Sequence, residues 1–224
     1  MRPVRLAMLV FATVALTQAA QGQPGSAANS SVVVDFSNPA LSPSHWTLTL
    51  HRDGSGHFHS EHGDQSQGGL QQMEAPDVDR SIHVSPEFAQ RVFLIAQRHK
   101  WFNDKCESHL KVAFQGWKKL SYVGPEGQGA CTFNYSQDKD IQALGDEIVA
   151  VAETVGEGAR LEMLLQHDRL GLDREIEFAC QAVQDGRMRQ IGVIKPILER
   201  LAGDDEVLDR VRKQARILLA HADE

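Results

Sequence analysis

The apolar residues of this chain change their period once, and that switch limits the folds open to it. From about residue 32 to 135 they mostly alternate, with turn signals between the runs. From Asp138 onward they recur every three to four positions. Strands followed by helices, rather than interleaved with them, predict an α+β fold. "SVVVDF" (31–36), "HWTLTLH" (45–51) and "HFHSEH" (57–62) are expected strands, and the polar stretch 63–80 is expected to be a loop. Ser85 as N-cap and Pro86 in the first turn open a helix to about His99, with Phe88, Val92, Ile95 and Ala96 along one stripe. "LKVAFQG" (110–116), "KKLSYVG" (118–124) and "ACTFNYS" (130–136) complete the expected strands. The first domain, 31–136, is therefore an antiparallel sheet with one packed helix, and 137–224 is helical.

In the helical part Ile141, Leu144, Ile148, Val151 and Val155 share a face. "GEG" (156–158) is expected to break or kink that helix. Leu161, Leu164, Leu165 and Leu170 continue the stripe to Gly171, a C-cap. Asp173 caps a third segment through Val183, which Gly186 ends. The final pair, "VIKPILERLAGDDEVLDRVRKQARILL", has a proline in its first helix, a "GDD" turn, and Val211, Ala215 and Leu218 in its second. It resembles a single HEAT-type repeat over about 192–219. The resemblance implies stacked helix pairs that present a surface to other proteins. One such pair needs neighbours to bury its apolar face. The same pattern also suits a helical hairpin closing an all-α bundle.

The chain opens with Arg2 and Arg5, an apolar run from Leu6 to Leu16, and the small residues Ala19, Ala20 and Gly22. That is the pattern of a secretory signal peptide (1–22), its apolar part too short to span a bilayer. Residues 23–30 read as a flexible leader. The expectation is a secreted or periplasmic protein with no membrane insertion after cleavage. The formal charge of −7 becomes more negative by two once Arg2 and Arg5 are removed. An acidic surface of this kind disfavours nucleic acid, whose binding needs Lys and Arg to displace counterions. Of three cysteines, Cys106 and Cys131 lie in the same β region and are expected to pair in an oxidising compartment. Cys180 falls on a helix face with Ile176 and Val183, as a small buried residue would.

Residues 51–62, "HRDGSGHFHSEH", hold four of the ten histidines. Trp46, Leu48 and Leu50 share one face of their strand, and Thr47, Thr49 and His51 the other. For Phe58 to join the Leu face the loop must have an odd number of residues. A Gly54-Ser55-Gly56 loop satisfies this and sets Asp53 opposite His57, Arg52 opposite Phe58, and His51 opposite His59. His51, His57 and His59 would then share a face at a spacing suited to Zn, Cu or Ni. The His57-Phe58-His59 triplet resembles the metal-binding pair of cupins, although the acid and glycine at the later spacing of that family are missing. A hairpin with one wet face carries Thr, His, Ser and Glu without binding anything.

No other pattern supplies chemistry. There is no G-x-S-x-G elbow, and "GPEGQG" between two strands lacks the Lys and Ser/Thr of a phosphate loop. Trp46 and Trp101 sit in apolar settings. Trp117, at a turn beside Lys118 and Lys119, is a candidate partner-binding residue. The function these residues suggest is an exported, non-enzymatic binding or scaffold protein that contacts another protein through its helical half and the Trp117 turn. The alternative is a metal-binding protein, or a metal-dependent enzyme, built on His51, His57 and His59.

Overall fold

The computed structural model describes residues 30–61 and 76–222. The expected signal peptide, nearly all of the expected leader, most of the 63–80 stretch and His62 lie outside the described residues. Ser30, expected as the end of the leader, is fully buried and accepts a hydrogen bond from the Tyr122 hydroxyl. No helix among the described residues is long and apolar enough to cross a membrane.

The chain is α+β. Six strands, β1 (Ser31–Ser37), β2 (His45–His51), β3 (Ser55–Glu61), β4 (Val78–His83), β5 (Trp117–Gly124) and β6 (Gly127–Phe133), form one antiparallel sheet in the order β4-β3-β2-β1-β5-β6. One face is dry, because alternate residues such as Val32, Val34, Leu48, Leu50 and Leu120 all point to it. Helix α1 (Pro86–Arg98) covers part of that face while the chain crosses from β4 to β5. Its start is as the sequence predicts: the Ser85 hydroxyl accepts from Phe88 N–H, and Pro86 occupies the first turn.

Strand β4 begins inside the stretch, 63–80, that the sequence predicts as a polar loop. Its inward face reads Val78, Arg80, Ile82, with Arg80 directly opposite Phe58. A charge in the middle of the inward row hides the alternation. Arg80 reaches past the sheet to Glu162 at 2.8 Å, so it is paired rather than stranded. An inward charge is also a common way to keep an edge strand from recruiting another sheet. The expected strand at 110–116 is absent, since residues 105–116 have no regular structure.

Helix α2 (Lys139–His167) runs unbroken for 29 residues, about 43 Å at the usual rise. Asp138 caps it by accepting from Asp140 and Ile141 N–H. The "GEG" segment does not break it, because its glycine serves packing: a Cβ at Gly158 would sit 2.3 Å from Ile194. The helix therefore belongs to both halves. Residues from Ile141 to Ala159 join the core of the sheet and α1. Leu161, Leu164 and Leu165 join a second core with α3 (Leu172–Gln184), α4 (Lys195–Gly203) and α5 (Asp209–Ala220). The turn after α3 is pinned to α2 where the Thr154 hydroxyl donates to Arg189 C=O at 2.7 Å. Three smaller expectations also change. Leu170 is 80% exposed, off the stripe, because α2 ends at His167; Gly171 opens α3, and Asp173 pairs with Arg210 instead of capping.

Gly156 differs from Gly158 in having nothing within 4 Å of an added Cβ. Gly156→Ala should therefore raise unfolding stability by about 0.5–1 kcal/mol through helix propensity. Gly158→Ala should lower it by about 1–3 kcal/mol through overpacking against Ile194. Urea unfolding of the two variants reads both signs, and equal shifts would show that α2 is not packed as described.

Candidate functional site

The β2–β3 hairpin has the predicted parity but a different register. Leu48 pairs with Phe58, Thr47 with His59 and Thr49 with His57. His51 thus stands opposite no histidine, and its Nδ1 lies 3.4 Å from Ser30 C=O. The loop is Arg52-Asp53-Gly54 rather than Gly54-Ser55-Gly56, two positions earlier. Asp53 sets it there, accepting from Ser55 N–H at 2.9 Å and from the Ser55 hydroxyl at 2.6 Å. Those same bonds, the hydroxyl's first, hold the Asp53 carboxyl below its ordinary range. Gly54 takes φ +85, where a side chain would be strained.

Histidines and acids alternate along the wet face of the sheet. His57 Nε2 is 3.1 Å from Asp79 Oδ1, and His59 Nδ1 is 3.0 Å from Asp79 Oδ2. His59 Nε2 is 3.2 Å from Glu61, and His45 Nε2 is 3.2 Å from Asp35. Glu61 first, and then Asp79, raise the His59 pKa above its ordinary value. With both ring nitrogens engaged by carboxylates, His59 keeps no lone pair aimed at a cation. Among the described residues no group of three or more His, Cys, Asp or Glu is arranged to hold a metal ion.

A different surface emerges around Trp117. Cys106 and Cys131 form a disulfide that ties the start of the irregular segment to β6. Side chains then take the hydrogen bonds a sheet ladder would have used. Glu107 accepts from Asn134 N–H at 2.7 Å and from His109 N–H at 3.0 Å. Asn134 in turn accepts from Gln115 N–H at 2.7 Å and donates to Ala113 C=O at 3.2 Å. Burial pushes the Glu107 carboxyl up, but these N–H donors outweigh it and hold it below its usual range. The strap is closed by Gly116 at φ +113, where an added Cβ would lie 2.5 Å from the Phe36 ring.

Held in this way, residues 109–115 are all exposed. Leu110, Val112, Phe114 and Trp117 are each 42–50% exposed, and the Phe114 and Trp117 rings meet edge to face at 5.9 Å. The alternation of Leu110, Val112 and Phe114 is real, yet it marks a displayed row and not a buried strand face. The sequence reading found Trp117 and missed its three companions. The only local signals against a strand were Glu107 and Gly116, whose roles depend on residues far along the chain. Trp46 is core and Trp101 stacks on Tyr122 at 4.3 Å. Cys180 is half-buried and free, and burial, aided by Glu177, pushes its thiol pKa up and away from reactivity. No family model matches the chain, and no curated protein matches it either.

Proposed function

We propose that this is an exported, non-enzymatic binding protein that grips another protein through the Leu110–Trp117 strap. The observation that carries this reading is a row of four half-exposed large apolar side chains on a segment fixed by a disulfide and by Glu107 and Asn134. Exposed apolar side chains concentrated in one short segment, two of them in ring contact, mark interaction sites. A fixed loop loses little entropy on binding, and an exposed Trp beside a Phe is a typical anchor. Exposed apolar residues of the helical half, such as Leu170, Phe178 and Ile217, are scattered over different elements; the Phe178 ring is covered by Arg187 at 5.0 Å. The reading therefore centres on the strap. Export is supported by the charged and apolar start of the chain and is consistent with the disulfide.

A photo-crosslinking side chain placed at Val112 tests the reading in the exported fraction. Wild-type protein should link to one discrete partner. Phe114→Ser/Trp117→Ser should lose at least about thirtyfold in affinity for it, the loss expected when anchors worth roughly 2 kcal/mol are removed. Melting of the variant should fall only slightly, because both side chains are half-exposed and lose chiefly their contact with each other. The same crosslinks in both proteins would sink the proposal.

A further inference from the structure

Between the dry face of the sheet and the middle of α2 lies a cavity of about 120 Å³. Phe36, Trp46 and Phe58 wall it on the sheet side, and Val149, Ala152 and Gly156 wall it on the helix side. The three aromatic rings form a continuous surface, Trp46 stacked on Phe36 at 5.0 Å and tilted against Phe58 at 5.9 Å. Leu41 and Glu153, both exposed, stand at the rim.

The polar end of this cavity is unusual. Glu157 lines it and is 2% exposed, yet its Oε1 accepts no hydrogen bond from any described residue. Its Oε2 has a long contact from Arg160 Nη1 at 3.4 Å, and the carboxyl also shares a side-chain hydrogen bond with Glu175. That same nitrogen makes its better bond, at 2.8 Å, to Glu175. A buried acceptor without a donor is costly and invites an explanation. The open space beside Gly156 leaves the helix wall free of side chain where a ligand would lie.

We propose that this cavity binds a small uncharged molecule with an apolar body the size of a benzene ring and one hydroxyl or N–H donor, which bonds to Glu157 Oε1. The volume fits: an apolar cavity of roughly 150 Å³ accepts benzene. The charge state fits as well. Burial, and then the Glu175 carboxylate, push the Glu157 carboxyl up to about 9, Arg160 opposing them, so it is neutral at pH 7. A neutral carboxyl accepts from a hydroxyl but gives an ammonium no counter-charge. The site lies on α2 and the sheet, apart from the strap, and does not depend on its role.

Titration calorimetry and melting of the full chain with phenol, anisole and benzylammonium test this. Phenol should bind one to one and raise the melting temperature, and anisole, in which a methyl group replaces the donor proton, should bind at least tenfold more weakly. Benzylammonium should not compete. Glu157→Gln keeps a carbonyl oxygen at the same place and should hold phenol within threefold of wild type. Gly156→Leu fills the cavity from the helix side, leaves Glu157 untouched, and should abolish binding. Equal affinity for phenol and anisole, or no binding of either, overturns the proposal. So does benzylammonium binding tightest with release of a proton, which would make the site an ionised carboxylate for amines.

Discussion

Glu157→Gln should stabilise this protein at pH 8 by up to about 5 kcal/mol and remove most of its loss of stability with rising pH. The carboxyl titrates near 9 in the folded chain, against a reference value of 4.5. Between those limits the folded state holds one proton more than the unfolded state. Stability from this group is therefore complete below about pH 4.5 and falls, by up to about 1.4 kcal/mol per unit, as pH rises toward 9. The groups facing it are Glu153, Arg160 and Glu175, and they are common to both proteins. Gln is neutral throughout, and its amide can donate to Glu175, so the slope goes and the packing stays. Urea unfolding at pH 4, 6 and 8 should show curves that meet at pH 4 and separate progressively above it. Parallel curves would mean that Glu157 is not held as a buried neutral acid.

Replacing both Cys106 and Cys131 with Ala should cost about 3.5 kcal/mol, the loop-entropy value for two residues 25 positions apart. The sulfurs are buried, so part of any excess loss comes from packing against the end of the sheet. The effect should also be local. The cross-link anchors the strap at its base, and without it the hydrogen-bonded N–H groups of His109 and Gln115 should exchange much faster than those of β5. Denaturant unfolding with amide exchange measures both. A loss under about 1 kcal/mol with unchanged exchange would show that Glu107 and Asn134 hold the strap alone.

The histidine hairpin shows how far pattern reading reaches. Phe58 and the Trp46-Leu48-Leu50 row required an odd loop, and the strands do pair with that parity. Two three-residue loops satisfy it, however, and they differ in every cross-strand partner. Asp53, with Ser55, selects the earlier one, and β4 reinforces it: Val84 N–H donates to Gly54 C=O at 2.9 Å. That bond comes from a strand the sequence conceals behind the inward-facing Arg80. The proposed His51–His59 pair disappears with the register, and Asp79 takes its place between His57 and His59.

By itself the sequence determined what local periodicity and capping encode: the α+β class, the dry faces of β2 and β3, helix α1 with its Ser85 cap, and the Cys106–Cys131 pairing. Tertiary structure alone decided which partners those elements meet. The Leu110–Phe114 segment is displayed because Glu107 and Asn134 hold the flanking His109 and Gln115 N–H groups and the Ala113 C=O. Gly158 continues a helix instead of ending it because Ile194 needs the space. Glu157 becomes a neutral acid in a cavity because the sheet and α3 close over a helix position that looks solvated. Periodicity reports whether a residue is wet or dry along its own element; the desolvation, pairing and close approach that give it a role are set by residues distant in the chain.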